Sequence, residues 1–232
     1  MNREYKDISL FINALNSCNI PYLVLRNYEN MHAPEIFMDG HEDLDLLSTD
    51  SRRLADAVGA VAYTDKVKEV CNDGTHYYVI IGGKQVSLDI RHVGDGYYCM
   101  EWERDMLERR IVKNGIYVMD EQDYLYSYIH HTILQKRTFS AEAQDRLRDM
   151  CIRLGVEPVH TPAAYIGMLE RYMRLHNYVY VYPSDTFVPL NTAYIDKKML
   201  QKDCSLAFRH WKFDAKVKLI EWLVDVKHKI YR

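Results

Sequence analysis

The sequence predicts an α+β protein, a mixed sheet flanked by helices over residues 1–100 followed by a mostly helical lobe over residues 101–232. Three observations predict it. Apolar residues recur at helical spacing near the N-terminus and repeatedly after residue 100, short β-type runs crowd the stretch between, and Gly82-Gly83-Lys84 separates two of those runs as a hairpin turn does.

The elements follow in order. Ile8, Phe11, Ile12 and Leu15 mark a helix over residues 5–15, which NSCNIP breaks before YLVLR opens a short buried strand. DLDLLS alternates acid and leucine, so a strand there shows its acids on one face and its leucines on the other. DSRRLADAVGA starts with capping chemistry and continues as a helix over residues 50–60. HYYVIIGGKQVSLDIRH is the clearest hairpin in the chain. Beyond it, WERDMLERR is helical, and IVKNGIYVM forms a small strand or hairpin about Asn114-Gly115. Residues 121–154 hold two helical patterns separated by Thr138-Phe139-Ser140. Residues 162–176 and 213–230 are also helical, with an irregular tyrosine- and proline-containing stretch at 178–194 between them.

Composition removes several functional classes. At 232 residues, 48% hydrophobic and 27% charged, the chain can bury one good core, or one core with a helical lobe, and is not disordered. A net charge of −3 is wrong for a protein that coats nucleic acid, so no nucleic-acid partner is expected. No apolar run is long enough to span a bilayer and the first residues are charged, which reads as a cytoplasmic protein without a cleaved signal. Five scattered cysteines without a CxxC pair fit idle thiols in a reducing compartment better than zinc or a disulfide frame. Nineteen tyrosines against six phenylalanines suit either recognition surfaces or half-buried positions. P-loop, GxGxxG, G-x-S-x-G and HEXXH motifs are all missing.

The chemistry concentrates in three aspartates. Asp43 and Asp45, two apart on a strand, project to one face and make half of a magnesium site. Asp89 lies among Val86, Leu88 and Ile90, where a lone carboxylate is costly unless paired or bound to metal. If the two strands lie side by side the three carboxylates converge, as phosphoryl and nucleotidyl transfer require. A solvated D-x-D face is the plain alternative.

In this order of elements, with DLDLL on one strand and SLDIR on the second strand of a hairpin, residues 1–95 resemble the DNA polymerase β-like nucleotidyltransferase superfamily in its small bacterial form. The resemblance implies a nucleotidyltransferase-like core at 1–100, Asp43 and Asp45 as the metal-binding pair, and Asp89 as a third carboxylate that holds Mg2+ or helps deprotonate the acceptor. It further implies a nucleoside triphosphate donor and a small-molecule or glycan acceptor. The wording YLVLRNYEN…DLDLL also looks like proteins found with bacterial surface-polysaccharide genes. The superfamily's Gly-Ser phosphate cradle is replaced here by Leu25-Arg26-Asn27. Two readings of Arg26 stand: a bidentate phosphate ligand with Asn27 donating beside it, or an ion-pair partner for one of the aspartates. The second makes the protein a non-catalytic nucleotide- or glycan-binding module, and an antitoxin-like interaction protein is a further alternative.

Gly40, His131 and Lys136 complete the nucleotide-binding candidates with Arg26 and Asn27. His130 and His131, adjacent on a helix, point about 100° apart and do not share a metal. Gly94-Asp95-Gly96-Tyr97-Tyr98 reads as an ordinary loop or as a flexible lip whose tyrosines stack on a ligand. Residues 196–232 hold ten Lys/Arg against five Asp/Glu, which leaves 20 basic and 28 acidic residues in the rest of the chain. The last helix carries an apolar stripe at Val217, Ile220, Leu223 and Val224, which either packs on the helical lobe or makes a peripheral membrane contact.

Overall fold

The structure is a computed structural model that describes residues 3–30, 43–63, 76–136 and 138–230. Among these residues the strands are β1 (Glu4–Tyr5), β2 (Tyr22–Val24), β3 (Asp43–Ser48), β4 (Val61–Ala62), β5 (His76–Ile81), β6 (Lys84–His92), β7 (Ile111–Lys113) and β8 (Ile116–Val118). The helices are α1 (Ile8–Ser17), α2 (Ser51–Ala57), α3 (Met100–Arg109), α4 (Glu121–Leu134), α5 (Ala141–Arg153), α6 (Pro162–His176) and α7 (Cys204–Ile230). The expected α+β architecture, a mixed sheet flanked by helices, is what the chain adopts.

Strand order in the sheet is β1-β5-β6-β3-β2-β8-β7, with β4 also paired to β5. The β5–β6 hairpin is antiparallel about Gly82 and Gly83, both at positive φ, and β6 runs parallel to β3. One face of the central strands is apolar: Leu44 and Leu46 of β3 lie beside Leu88 and Ile90 of β6, all nearly or fully buried. Alternation sends Asp43, Asp45, Asp89 and Arg91 to the opposite face.

Helix starts follow local capping chemistry. The side chains of Asp7, Asp50, Asp120, Ser140 and Thr161 each accept a backbone N–H from the first turn of α1, α2, α4, α5 and α6. Asn177 closes α6 in the left-handed conformation.

Four details differ from the sequence reading. The two-residue β1 precedes α1, too short to leave a periodic pattern. The sheet also extends past residue 100, because β8 of the 111–118 hairpin runs parallel to β2 at Val24 and Val118. One continuous buried cluster runs from Tyr5 to Ile195, so the helices after residue 118 pack on the same core as the sheet. Finally, Tyr97 and Tyr98 are core residues rather than parts of a flexible lip. Gly96, at φ +77, lies so close to the 182–184 segment that a Cβ there would stand 2.9 Å from the Tyr182 carbonyl oxygen.

Candidate functional site

The parallel register of β3 and β6 sets Asp45 directly opposite Asp89, and Asp43 lies on the same face two residues along. The antiparallel register of β5 and β6 sets His76 opposite Asp89 on the other side. Carboxylates thus gather on one patch of sheet, and the protein supplies two of them with a nitrogen partner. Arg26 Nη2 meets Asp45 Oδ2 at 2.7 Å, and His76 Nδ1 meets Asp89 Oδ1 at 2.8 Å. The expectation that Arg26 either grips phosphate or pairs with an aspartate is met, in this arrangement, by the pair. At Asp43, burial first, then the charges of Asp45 and Asp89, push the carboxyl above the usual range.

These residues line a cleft of about 580 Å³ together with Asn27, Arg91, Tyr97, Tyr128, His131, Gln135, Lys136 and the Phe187–Pro189 strip. Arg26, Asn27, Asp43, Asp45, Asp89, His131 and Lys136, dispersed over 110 residues of sequence, therefore share one cavity. Gly40 lies outside the described residues.

Around Arg26 the cleft is built of charge laid on rings. Its guanidinium carbon stands 5.6 Å from the centre of the Tyr97 ring, and that of Arg91 4.7 Å from the same centre. Burial opposes the Arg26 charge, but Asp45 and the tyrosines outweigh it and hold the guanidinium protonated. Its Nη1 is buried without a hydrogen-bond partner. Arg91 is locked to Asp185 at 3.2 Å in a buried pair. Asp185 in turn accepts the N–H of Phe187, which fixes the 187–189 strip at the cleft mouth. Asn27 adopts a left-handed φ of 59° and accepts a hydrogen bond from Arg146 Nη1 at 3.1 Å.

The adjacent histidines separate as their helical spacing demands. His130 points into an aromatic cluster with Tyr98, Trp102 and Tyr180, and burial drives its pKa down to about 3. His131 faces the cleft, within 3.3 Å of Tyr97 Oη and 3.2 Å of Gln135 Oε1. Burial, with Arg26 and Lys136 adding to it, lowers His131 well below the ordinary value, so it is a neutral hydrogen-bonding group. The helix of the two histidines, α4, ends at Leu134, and Lys136 stands exposed just past it on the cleft rim.

No protein-family model matches the chain, and no curated protein matches it. Among solved structures the chain is similar to the antibiotic-resistance factor ANT(2'')-Ia, determined in solution. The identity is 14%, the match covers 73% of this chain and 91% of that one, and the TM-score is 0.38.

Three carboxylates on one face are hard oxygen donors, and burial followed by the charges of Asp45 and Asp89 raises the Asp43 carboxyl. Donor type and charge fit a divalent cation. The fit is not preformed: among the described residues no three acid, histidine or cysteine side chains stand close enough to hold an ion together. Ligation requires Asp45 and Asp89 to exchange Arg26 and His76 for the cation.

Sequence reasoning missed Arg91, Tyr128, Gln135 and the 187–189 strip. Arg91 was legible as the alternate residue after Asp89 on β6, and Tyr128, His131 and Gln135 as one helical face at i, i+3 and i+7. Phe187, Val188 and Pro189 leave no local signal.

Two protonation equilibria bear on stability. Glu103 is buried and accepts the N–H groups of Gly94 and Tyr98, and burial followed by the nearby Asp95 charge pushes its pKa up to about 8. The hydrogen bond to Asp89, opposed by burial, raises His76. Both groups hold their proton more tightly folded than unfolded, so the stability they contribute is complete below their unfolded values and is lost as pH rises through the folded ones. Above about pH 6.5 the buried histidines are neutral in both states and do not offset this loss. The urea midpoint is therefore expected to fall between about pH 7 and 8, the unfolding free energy declining by at most about 1.4 kcal/mol per pH unit per group. A midpoint that rises over that interval contradicts the assignment.

Proposed function

We propose that this cleft binds a nucleoside triphosphate and transfers its nucleotidyl group, with magnesium, to a hydroxyl or phosphate of a small-molecule or glycan-linked acceptor. The observation that carries the reading is the in-register placement of Asp45 beside Asp89, with Asp43 on the same face, against a wall bearing Arg26, His131 and Lys136. Acid and base stand across one cavity, which suits a triphosphate bridged to a cation.

Asp43, Asp45 and Asp89 would hold the magnesium, which when bound supplies neutralisation of phosphate charge and polarisation of the phosphoryl oxygens. This chain's own groups do the rest. Released from Asp45, Arg26 offers two guanidinium nitrogens to the phosphates, and Lys136 adds a point charge at the rim. His131, uncharged, donates or accepts one hydrogen bond without repelling Arg26. Phe187, 46% exposed at the cleft mouth, and Tyr128 present ring surfaces for a base. In the reaction the acceptor oxygen forms a bond to the α-phosphorus, the bond to the bridging oxygen breaks, and pyrophosphate leaves with its electron pair. A carboxylate, with Asp89 the candidate, takes the acceptor's proton.

An adjoining cavity of about 620 Å³ shares Lys136 and Pro189 with the cleft and is further lined by Lys197, Lys218 and Asp214. It gives an acceptor room beside the phosphates, and its excess of lysine favours an acceptor carrying negative charge. The compartment that supplies the donor is the cytoplasm, and no described helix is long and apolar enough to cross a membrane.

A second reading has its own support. The Arg26–Asp45 and His76–Asp89 pairs occupy two of the three carboxylates, which supports a site that binds nucleotide without a metal and without turnover. Calorimetric titration of the four ribonucleoside triphosphates, with and without magnesium and with pyrophosphate release followed in parallel, separates the two. Magnesium-dependent binding with pyrophosphate release is the expected result. Equal binding after magnesium is removed, with no pyrophosphate, selects the binding module, and the absence of any nucleotide binding overturns both.

A further inference from the structure

The long helix α7 presents two apolar faces and the protein covers only one. On the inner face His210 is buried and lies 2.7 Å from the Pro183 carbonyl oxygen, the Phe213 ring stands 4.6 Å from that of Phe187, and Val217 lines the second cavity. Half a turn away, Phe208, Trp211, Leu219, Trp222 and Leu223 are 51–64% exposed. At 100° per residue these five side chains, with Ala215 between them, span about 120° of the helix surface. The stripe expected at Val217, Ile220, Leu223 and Val224 is thus divided: Val217 turns inward, Ile220 and Leu223 are exposed, and the side chain of Val224 lies outside what is described. Nothing among the described residues covers the outer stripe.

Its borders say what does. Arg209 and Lys216 run along one edge and Lys218 along the other, and Lys212 rises between Leu219 and Leu223, all exposed. Residues 196–232 carry ten basic against five acidic groups in a chain that is otherwise acidic. We propose that α7 lies in the surface of an anionic lipid bilayer, with Phe208, Trp211, Leu219, Trp222 and Leu223 in the headgroup–acyl boundary and the flanking cations on lipid phosphates. Tryptophan and phenylalanine between lysines is the composition that favours such an interface. A symmetric pairing of two copies through this stripe sets cationic border against cationic border. A coiled coil fails as well. Heptad positions continuing from Phe208 and Trp211 fall on Ala215 and Trp222 in one register and on Lys218 and Asp225 in the other. Apart from Lys218, which also lines the second cavity, this surface shares no residue with the nucleotide reading and stands or falls separately.

The test uses the full chain and vesicles of phosphatidylcholine with or without phosphatidylglycerol. Wild-type protein is expected to sediment with the phosphatidylglycerol vesicles and to shift its tryptophan emission to the blue, since Trp211 and Trp222 are exposed while Trp102 is already buried. Leu219→Ser/Leu223→Ser keeps both reporters and should lose sedimentation and shift together, with the melting temperature unchanged. Lys212→Gln and Lys216→Gln should each weaken binding about fivefold, and added salt should do the same. Absence of vesicle binding overturns the proposal, as does equal binding by the serine variant. So does a wild-type dimer in light scattering that the serine substitutions dissociate without any vesicle binding, which makes the stripe a contact between copies.

Discussion

Asp43→Ala is expected to lower nucleotidyl transfer by a factor on the order of 10²–10³, with the protein as stable as before or slightly more so. The two halves of that result have one cause. Asp43 stands at the start of β3 with its carboxyl half-buried, and that burial and the neighbouring charges of Asp45 and Asp89 push it up. Folding brings these like charges together, so deleting one relieves repulsion in the protein alone. With a cation and a triphosphate present the same charge becomes attractive, and its loss falls on binding and turnover. Asp45→Ala is the contrasting variant, because it also strands Arg26, whose side chain is 11% exposed, without its carboxylate. Pyrophosphate release and thermal melting of both variants check the pair. Transfer that persists in Asp43→Ala removes the aspartates from the chemistry.

Asp123→Ala is expected to cost about 3–5 kcal/mol and to lower the melting temperature on the order of 10 °C, with no direct contact to the cleft. Asp123 is fully buried on α4. Its Oδ1 accepts from Trp102 Nε1 at 2.8 Å and from Tyr172 Oη at 2.7 Å, and both oxygens accept from Arg109. One carboxylate thus joins α3, α4 and α6. Removing it leaves the buried indole N–H of Trp102 and the phenol of Tyr172 without their acceptor and takes from Arg109 its innermost carboxylate, while Asp105 and Asp120 stay at 3.3 and 3.7 Å. Asp123→Asn should fall between the two proteins, since its oxygen still serves Trp102 and Tyr172 while its amide nitrogen meets the donors of Arg109. A melting temperature within a degree or two of wild type for Asp123→Ala means that the network contributes nothing and that packing alone holds the three helices.

What was legible in the sequence was whatever depends on neighbours along the chain. The period-2 pattern of DLDLLS placed Asp43 and Asp45 on one face, the Gly82-Gly83 turn set the hairpin that carries Asp89, and the separation of His130 from His131 follows from 100° per residue. The substitution of Leu25-Arg26-Asn27 for a small phosphate cradle was visible too, and with it both readings of Arg26. The cleft's far wall was not visible. Phe187 to Pro189 are held there by the Arg91–Asp185 pair, which joins residues 94 apart and leaves no periodic trace.

The sequence by itself determined the element types, the two strands that bear the acids and the face on which each acid sits, because strand and helix periods are local geometry. Only the tertiary structure decided that β3 and β6 run side by side in the register that makes Asp45 and Asp89 neighbours, that Arg26 and His76 neutralise them, and that α7 turns Val217 inward and its tryptophans outward. Those outcomes are choices among partners distant in sequence. They are set by which apolar faces bury one another and which buried charges find an opposite, and a chain pattern of 2 or 3.6 residues carries no information about either.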